Sequence, residues 1–171
     1  MPKIVLTMMA DDRPGLVRAV SDCVVSHGGN WLESRMAQLA GKFAGVILIE
    51  VSDSSHADLL AALQALASDD IALTVQAGDD VDPGDAQAVV LKVDGADHPG
   101  IVHEVTDLLV RRNINIREME TGTHAAAMTG QPIFAAEIHA LLPADTTQAD
   151  LGEALAALAA DLQVDIDLEA G

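Results

Sequence analysis

The chain has 171 residues, of which 50% are hydrophobic and 2% aromatic, with no tyrosine; it is long for one small domain and comfortable for two, with cores filled by Ala, Val, Leu and Ile. Nine Lys and Arg against 27 Asp and Glu leave a formal charge of −18. That field repels phosphate backbones and anionic membranes, and few rings are offered for base stacking, so direct nucleic-acid binding and membrane binding are not expected.

The first apolar run, residues 3–9, is short and rich in Ile, Val, Leu and Met, the pattern of a strand buried on both faces. After a Pro-Gly turn at Pro14 and Gly15, a helix is predicted from the stripe Leu16, Val20, Cys23 and Val24, and Gly28-Gly29 stops it. Strands are predicted over 30–39 and 42–51 around Gly41. Asp53, Ser54 and Ser55 then open a helix carrying Leu59, Leu63 and Leu66, and residues 71–76 alternate as a closing strand. Strand, helix, strand, strand, helix, strand is the ferredoxin-like order, an α+β fold.

Residues 77–85, rich in Gly, Pro and Asp, break every pattern and read as a linker. Beyond them the same order returns: strand 88–93, helix 101–113, strand 114–121, strand 133–142, helix 150–162 and strand 164–168. An offset of 85 joins Asp12 to Asp97, Pro14 to Pro99, Gly15 to Gly100, Val17 to Val102, Val20 to Val105, Asp22 to Asp107, Val25 to Val110, Asn30 to Asn115 and Glu33 to Glu118. Further on, Ala57-Asp58-Leu59, Leu63 and Leu66 return as Ala149-Asp150-Leu151, Leu155 and Leu158, so the chain is a duplication. We expect domains at 1–77 and 87–171 around a linker at 78–86, packed as a pseudo-dimer with their sheets joined edge to edge. The extra length falls in a hairpin at 121–132, whose Gly122 and Gly130 predict a mobile loop around His124, or a lid.

The repeated turns are the candidate sites. A residue before proline avoids the α region, so Arg13 and His98 are expected as N-caps, with Pro14 and Pro99 next and Gly15 and Gly100 second in the helix. The N–H groups of Gly15, Leu16 and Val17, and of Gly100, Ile101 and Val102, then seek an acceptor, and a carboxylate would serve. Glycine at that position removes a side chain that would obstruct the ligand. Asp12 or Asp97 could cap the helix or hold an ammonium group. The plainer alternative is an efficient strand-to-helix turn satisfied by Asp and water.

Other chemistries find little support. Asp12, Asp97, Glu33 and Glu118 are accompanied by no catalytic order, phosphate loop or dinucleotide fingerprint, so neither an enzyme nor a cofactor is expected. His103-Glu104-Val105-Thr106-Asp107 ends in Asp where a zinc-protease helix needs His, and no metal site is expected. A lone Cys23 permits no internal disulfide. The start, Met1-Pro2-Lys3-Ile4, lacks a leader layout, and no apolar run approaches the roughly 20 residues of a membrane span, so a cytoplasmic protein is expected.

The Asp-x-Pro-Gly-aliphatic-Val turn, followed by Gly29-Asn30-Trp31-Leu32-Glu33 in one half and Ile114-Asn115-Ile116-Arg117-Glu118 in the other, resembles the ACT domain, a ferredoxin-like regulatory module. The resemblance implies binding of amino acids at domain interfaces. The implied positions are Asp12, Arg13, Pro14, Gly15 and Leu16 with Asn30, and Asp97, His98, Pro99, Gly100 and Ile101 with Asn115. Two such modules with nothing else attached are similar to the glycine cleavage system transcriptional repressor family. That likeness implies a small amino acid effector, glycine first among them, and action through a regulatory protein partner. A homodimer is a further expectation. A non-sensing interaction module, or a detached regulatory subunit of an enzyme of amino-acid metabolism, stays open beside it. Arg13 against His98, and Trp31 against Ile116, make the halves unequal; Trp31 is expected as a core or interface residue, with a pocket wall as the alternative.

Overall fold

The computed structural model describes residues 1–79 and 84–171; part of the expected linker, residues 80–83, lies outside the described residues. The chain divides into two compact units, Met1–Val81 and Asp82–Gly171. The first contains β1 (Lys3–Asp11), α1 (Leu16–Ser26), β2 (Asn30–Leu39), β3 (Lys42–Glu50), α2 (His56–Ala65) and β4 (Ile71–Gly78). The second contains β5 (Gln87–Ala96), α3 (Ile101–Arg111), β6 (Asn115–Ala125), β7 (Pro132–Leu142), α4 (Gln148–Leu162) and β8 (Val164–Ala170). Their antiparallel sheets run β2-β3-β1-β4 and β6-β7-β5-β8, the ferredoxin-like arrangement in both.

Each core lies between one sheet face and two helices. In the first unit Ile4, Leu6 and Met8 of β1 meet Leu16, Val20 and Val24 of α1, together with Leu59 and Leu63 of α2. In the second, Val89, Leu91 and Val93 meet Ile101, Val105, Leu109, Leu151 and Leu155. The β1 and α1 contributions repeat at the offset of 85, which keeps the i, i+4, i+8 stripe of each first helix on its sheet. Full burial of such a side chain contributes about 1.5–3 kcal/mol before the entropy of ordering it. The structure corrects the expectation that the first strand is buried on both faces. Ile4, Leu6, Met8 and Ala10 are buried, while Val5, Thr7 and Met9 alternate onto the face away from the helices.

Backbone details repeat as well. Gly28 (φ +70°) ends α1, and Asn113 (φ +55°), its counterpart, ends α3 in the same left-handed conformation, which glycine and then asparagine adopt most readily. The stop is tied by Gly29 N–H donating to Val24 O at 2.9 Å, and by Ile114 N–H donating to Leu109 O at 3.0 Å. Both edge strands shift register at matching places, between Trp31 and Glu33 and between Ile116 and Glu118. The second hairpin differs from expectation. Strand β6 runs to Ala125 and β7 begins at Pro132, leaving only residues 126–131 as loop. His124 therefore sits on a strand opposite Ile133 rather than on a mobile loop; ladder hydrogen bonds, invisible in composition, override the local signal of Gly122.

Candidate functional site

Each Pro-Gly turn leaves the end of a central strand and is tied to the neighbouring hairpin. Asp12 N–H donates to Gly41 O at 2.9 Å, and Asp97 N–H donates to Pro132 O at 3.0 Å. Beside the first turn Lys42 hydrogen-bonds Asp11, and its ammonium holds the Asp11 carboxyl below the usual carboxylate range. The helix starts lie further along than expected. Gly15 and Gly100 are themselves the N-caps, at φ +96° and +106°, and no side chain caps either helix. Arg13 and His98 thus precede the caps, Pro14 and Pro99 stand outside the helices, and Asp12 and Asp97 do not act as caps. The physical reason is the left-handed backbone at the turn, which glycine enters without steric cost. The first intrahelical bonds are Ala19 N–H to Gly15 O and Glu104 N–H to Gly100 O, both 2.9 Å. The N–H groups without an intrahelical partner are therefore those of Leu16, Val17 and Arg18, and of Ile101, Val102 and His103, where the helix dipole is also positive.

Around the first turn Asp12, Arg13, Gly15, Leu16, Val17, Arg18 and Phe43 line a cleft of about 170 Å³. One carboxylate, two guanidinium groups and the positive end of a helix suit a small zwitterion: an ammonium group at Asp12, a carboxylate at the N–H groups and Arg13. Pockets for drug-sized molecules run from roughly 300 Å³ upward, so the cleft favours a smaller ligand. Arg18 and Phe43 were not foreseen. Arg18 could have been found by counting one turn on from the cap, whereas Phe43 arrives through the strand pairing of Ala10 with Phe43, which local sequence does not encode.

The second turn is engaged differently. His98 Nε2 lies 2.8 Å from Leu162 O at the end of α4, and its Nδ1 lies 3.2 Å from Pro99 O. Its ring meets a carbonyl left over by a helix C-terminus, a partner with no counterpart at Arg13 among the described residues. These two backbone acceptors raise the imidazole pKa above its ordinary 6.5.

The expected asparagines do not join the turns of their own units. Asn30 pairs with Glu50, which pairs with Lys3 at the start of β1, while the turn leaves the other end of β1 after Asp11. Nine steps of about 3.3 Å, from Lys3 to Asp12, separate them by roughly 30 Å. Asn115 likewise faces Leu141, which pairs with Ala88 near the start of β5.

Trp31 is half-buried against the first core, and Cys23 is half-buried with its thiol pushed up by burial. Among the described residues no group of three or more His, Cys, Asp or Glu could hold a metal ion, and no helix is long and apolar enough to cross a membrane.

Residues 3–77 and 89–162 each match an ACT domain family model. The glycine cleavage system transcriptional repressor of Escherichia coli K12 is 27% identical over 161 residues, covering 93% of this chain and 85% of that protein. Among solved structures, an unknown protein from Galdieria sulphuraria is similar at TM-score 0.83 and 29% identity, covering 99% of this chain and 98% of that one. A protein assigned as a glycine cleavage system transcriptional repressor superposes at TM-score 0.68 and 23% identity, covering 98% and 96%, and shares the fold. The chain belongs to the ACT domain family, as a tandem pair of regulatory modules related to the glycine cleavage system transcriptional repressor.

Proposed function

We propose that the protein is an amino-acid-responsive regulator, and that its effector is a small amino acid, glycine foremost, bound at the turn running from Asp12 to Leu16. The observation that carries this reading is the cleft in which Asp12, Arg13 and the start of α1 present complementary charge to a zwitterion. Its carboxylate accepts from the N–H groups of Leu16 and Val17, and its ammonium meets Asp12. Asn30, roughly 30 Å away along β1, does not share this cleft within its own unit. The second turn, Asp97, His98, Pro99, Gly100 and Ile101, is the weaker of the pair because His98 is committed to α4.

Effector occupancy shifts the population of module arrangements and so alters contact with a regulatory protein in glycine and one-carbon metabolism. With a charge of −18 the chain acts in the cytoplasm through that partner rather than by gripping DNA itself. Titration calorimetry with a panel of amino acids, on the wild type and on Asp12→Asn and Arg13→Ala, tests the reading. Saturable heat with a small amino acid, lost in both variants, is expected. Absence of heat and of thermal shift with every amino acid would leave a non-sensing interaction module.

A further inference from the structure

The helices of each unit cover one face of its sheet, and the opposite faces have diverged between the two units. In unit 1 the middle of that face is apolar and neutral: Val5 and Met9 on β1 stand beside Leu48 and Val46 on β3, with Met9 53% and Val46 48% exposed. Among the described residues its charges balance. Lys3 lies opposite Glu50, Lys42 bonds Asp11, and Arg35 pairs with Glu33 at 3.0 Å, giving three cations and three carboxylates around an apolar centre.

At the matching register positions unit 2 is acidic. Met9, opposite Ala72, corresponds to Asp94 opposite Asp165; Thr7, between Val46 and Thr74, corresponds to Lys92 between Glu137 and Asp167. Asp94 against Asp165 and Glu120 against Glu137 set like charges directly across the strands, an arrangement that destabilises a sheet and keeps that face in water.

We infer that the open sheet face of unit 1 is the interface through which two copies of this chain dimerise, face to face about a twofold axis. Three observations select a second copy as the occupant. First, β1 has the composition of a strand buried on both faces, yet its own unit covers only one, leaving Val5 and Met9 uncovered by it. Secondly, on a chain of charge −18 the described residues of this face carry no net charge, with an apolar centre and a balanced polar rim, so it can meet itself with little like-charge repulsion at contact. A basic partner would instead be drawn to unit 2.

The third is size. Four strands about 4.8 Å apart and about nine residues long span roughly 570 Å² in projection, and the relief of the side chains brings this towards the ~800 Å² per partner of a standard interface. Added salt screens the repulsion between two chains of charge −18 each and breaks no ion pair made across the interface, so it does not loosen the dimer as it would an interface made of ion pairs. This holds whether or not the Asp12 turn binds an amino acid.

Sedimentation equilibrium of the full chain, over a range of concentration and salt, tests the interface with Val46→Glu and Met9→Asp. Each places on unit 1 the residue type that unit 2 already carries at the same register position, so the strands accept it, and circular dichroism verifies the fold. The wild type is expected to dimerise, no more weakly at higher salt, and either folded variant to weaken dimerisation at least about tenfold. Glu137→Val on unit 2 leaves the dimer intact. A wild type that stays monomeric at every concentration, or folded variants that dimerise like it, overturns the inference.

Discussion

Replacing Gly15 by alanine separates two roles for this glycine, conformational and steric. A Cβ built on Gly15 meets nothing within 4 Å, so there is no clash to add. What remains is backbone strain at φ +96°, ψ −5°, about 1–3 kcal/mol for a side-chain-bearing residue. The smaller entropy of the unfolded alanine chain returns about 0.4–1 kcal/mol. The net loss is therefore on the order of 1–2 kcal/mol, and a unit of this size loses about 4–8 °C in Tm per kcal/mol. Asparagine tolerates left-handed backbone better than alanine, and valine worse. Stability measured by urea denaturation and calorimetry is thus expected to fall in the order Gly, Asn, Ala, Val, and Gly100→Ala should behave likewise in unit 2, since its φ is +106° with the same open space. An alanine variant as stable as the wild type that has merely lost amino-acid binding would refute the conformational account, and with it the assignment of Gly15 as N-cap.

His98 is bonded to the carbonyls of Leu162 and Pro99, acceptors that a neutral imidazole, with one N–H, cannot both satisfy. Its folded pKa lies above the unfolded value, so its stabilising contribution is complete below about pH 6.5 and disappears as pH rises through the folded pKa. The stability difference between wild type and His98→Asn should shrink over that rise, and an NMR titration placing His98 at or below its ordinary pKa would contradict the contact. Thr147 caps α4, accepting from Asp150 N–H at 3.1 Å and donating to the Asp150 carboxylate at 2.6 Å. Thr147→Ala should cost about 1 kcal/mol with an unchanged urea m-value; an unaltered midpoint would mean that this cap contributes nothing in solution.

Element order, repeat and core stripes were legible in the sequence because each rests on local spacing. Leu16, Val20 and Val24 recur every turn of a helix, and the duplication repeats them as Ile101, Val105 and Leu109. Properties set by pairing between distant segments were not. Proline at 14 and 99 suggests a helix two residues earlier than the left-handed cap permits, and Gly122 reads as loop although β7 holds it opposite Ala135. The separation of Asn30 from the Asp12 turn follows from strand direction alone, which no motif of either segment displays. Phe43 enters the cleft for the same reason, carried there by register.

The duplication also sorts what folding requires from what it leaves free. Left-handed backbone at Gly15 and Gly100 and at Gly28 and Asn113, the register shifts of β2 and β6, and the aliphatic cores are held in common, since each unit must solve the same packing problem. The differences fall on surfaces. Where unit 1 has Arg13 beside an open cleft, unit 2 has His98 bonded to its own α4; where unit 1 has Met9 and Val46 on its open face, unit 2 has Asp94 and Glu137. Folding alone would tolerate either choice in either unit. One shared fold thus carries two different surfaces: a cleft beside Arg13 and an apolar, neutral sheet face on unit 1, and a turn bonded to its own helix with an acidic sheet face on unit 2.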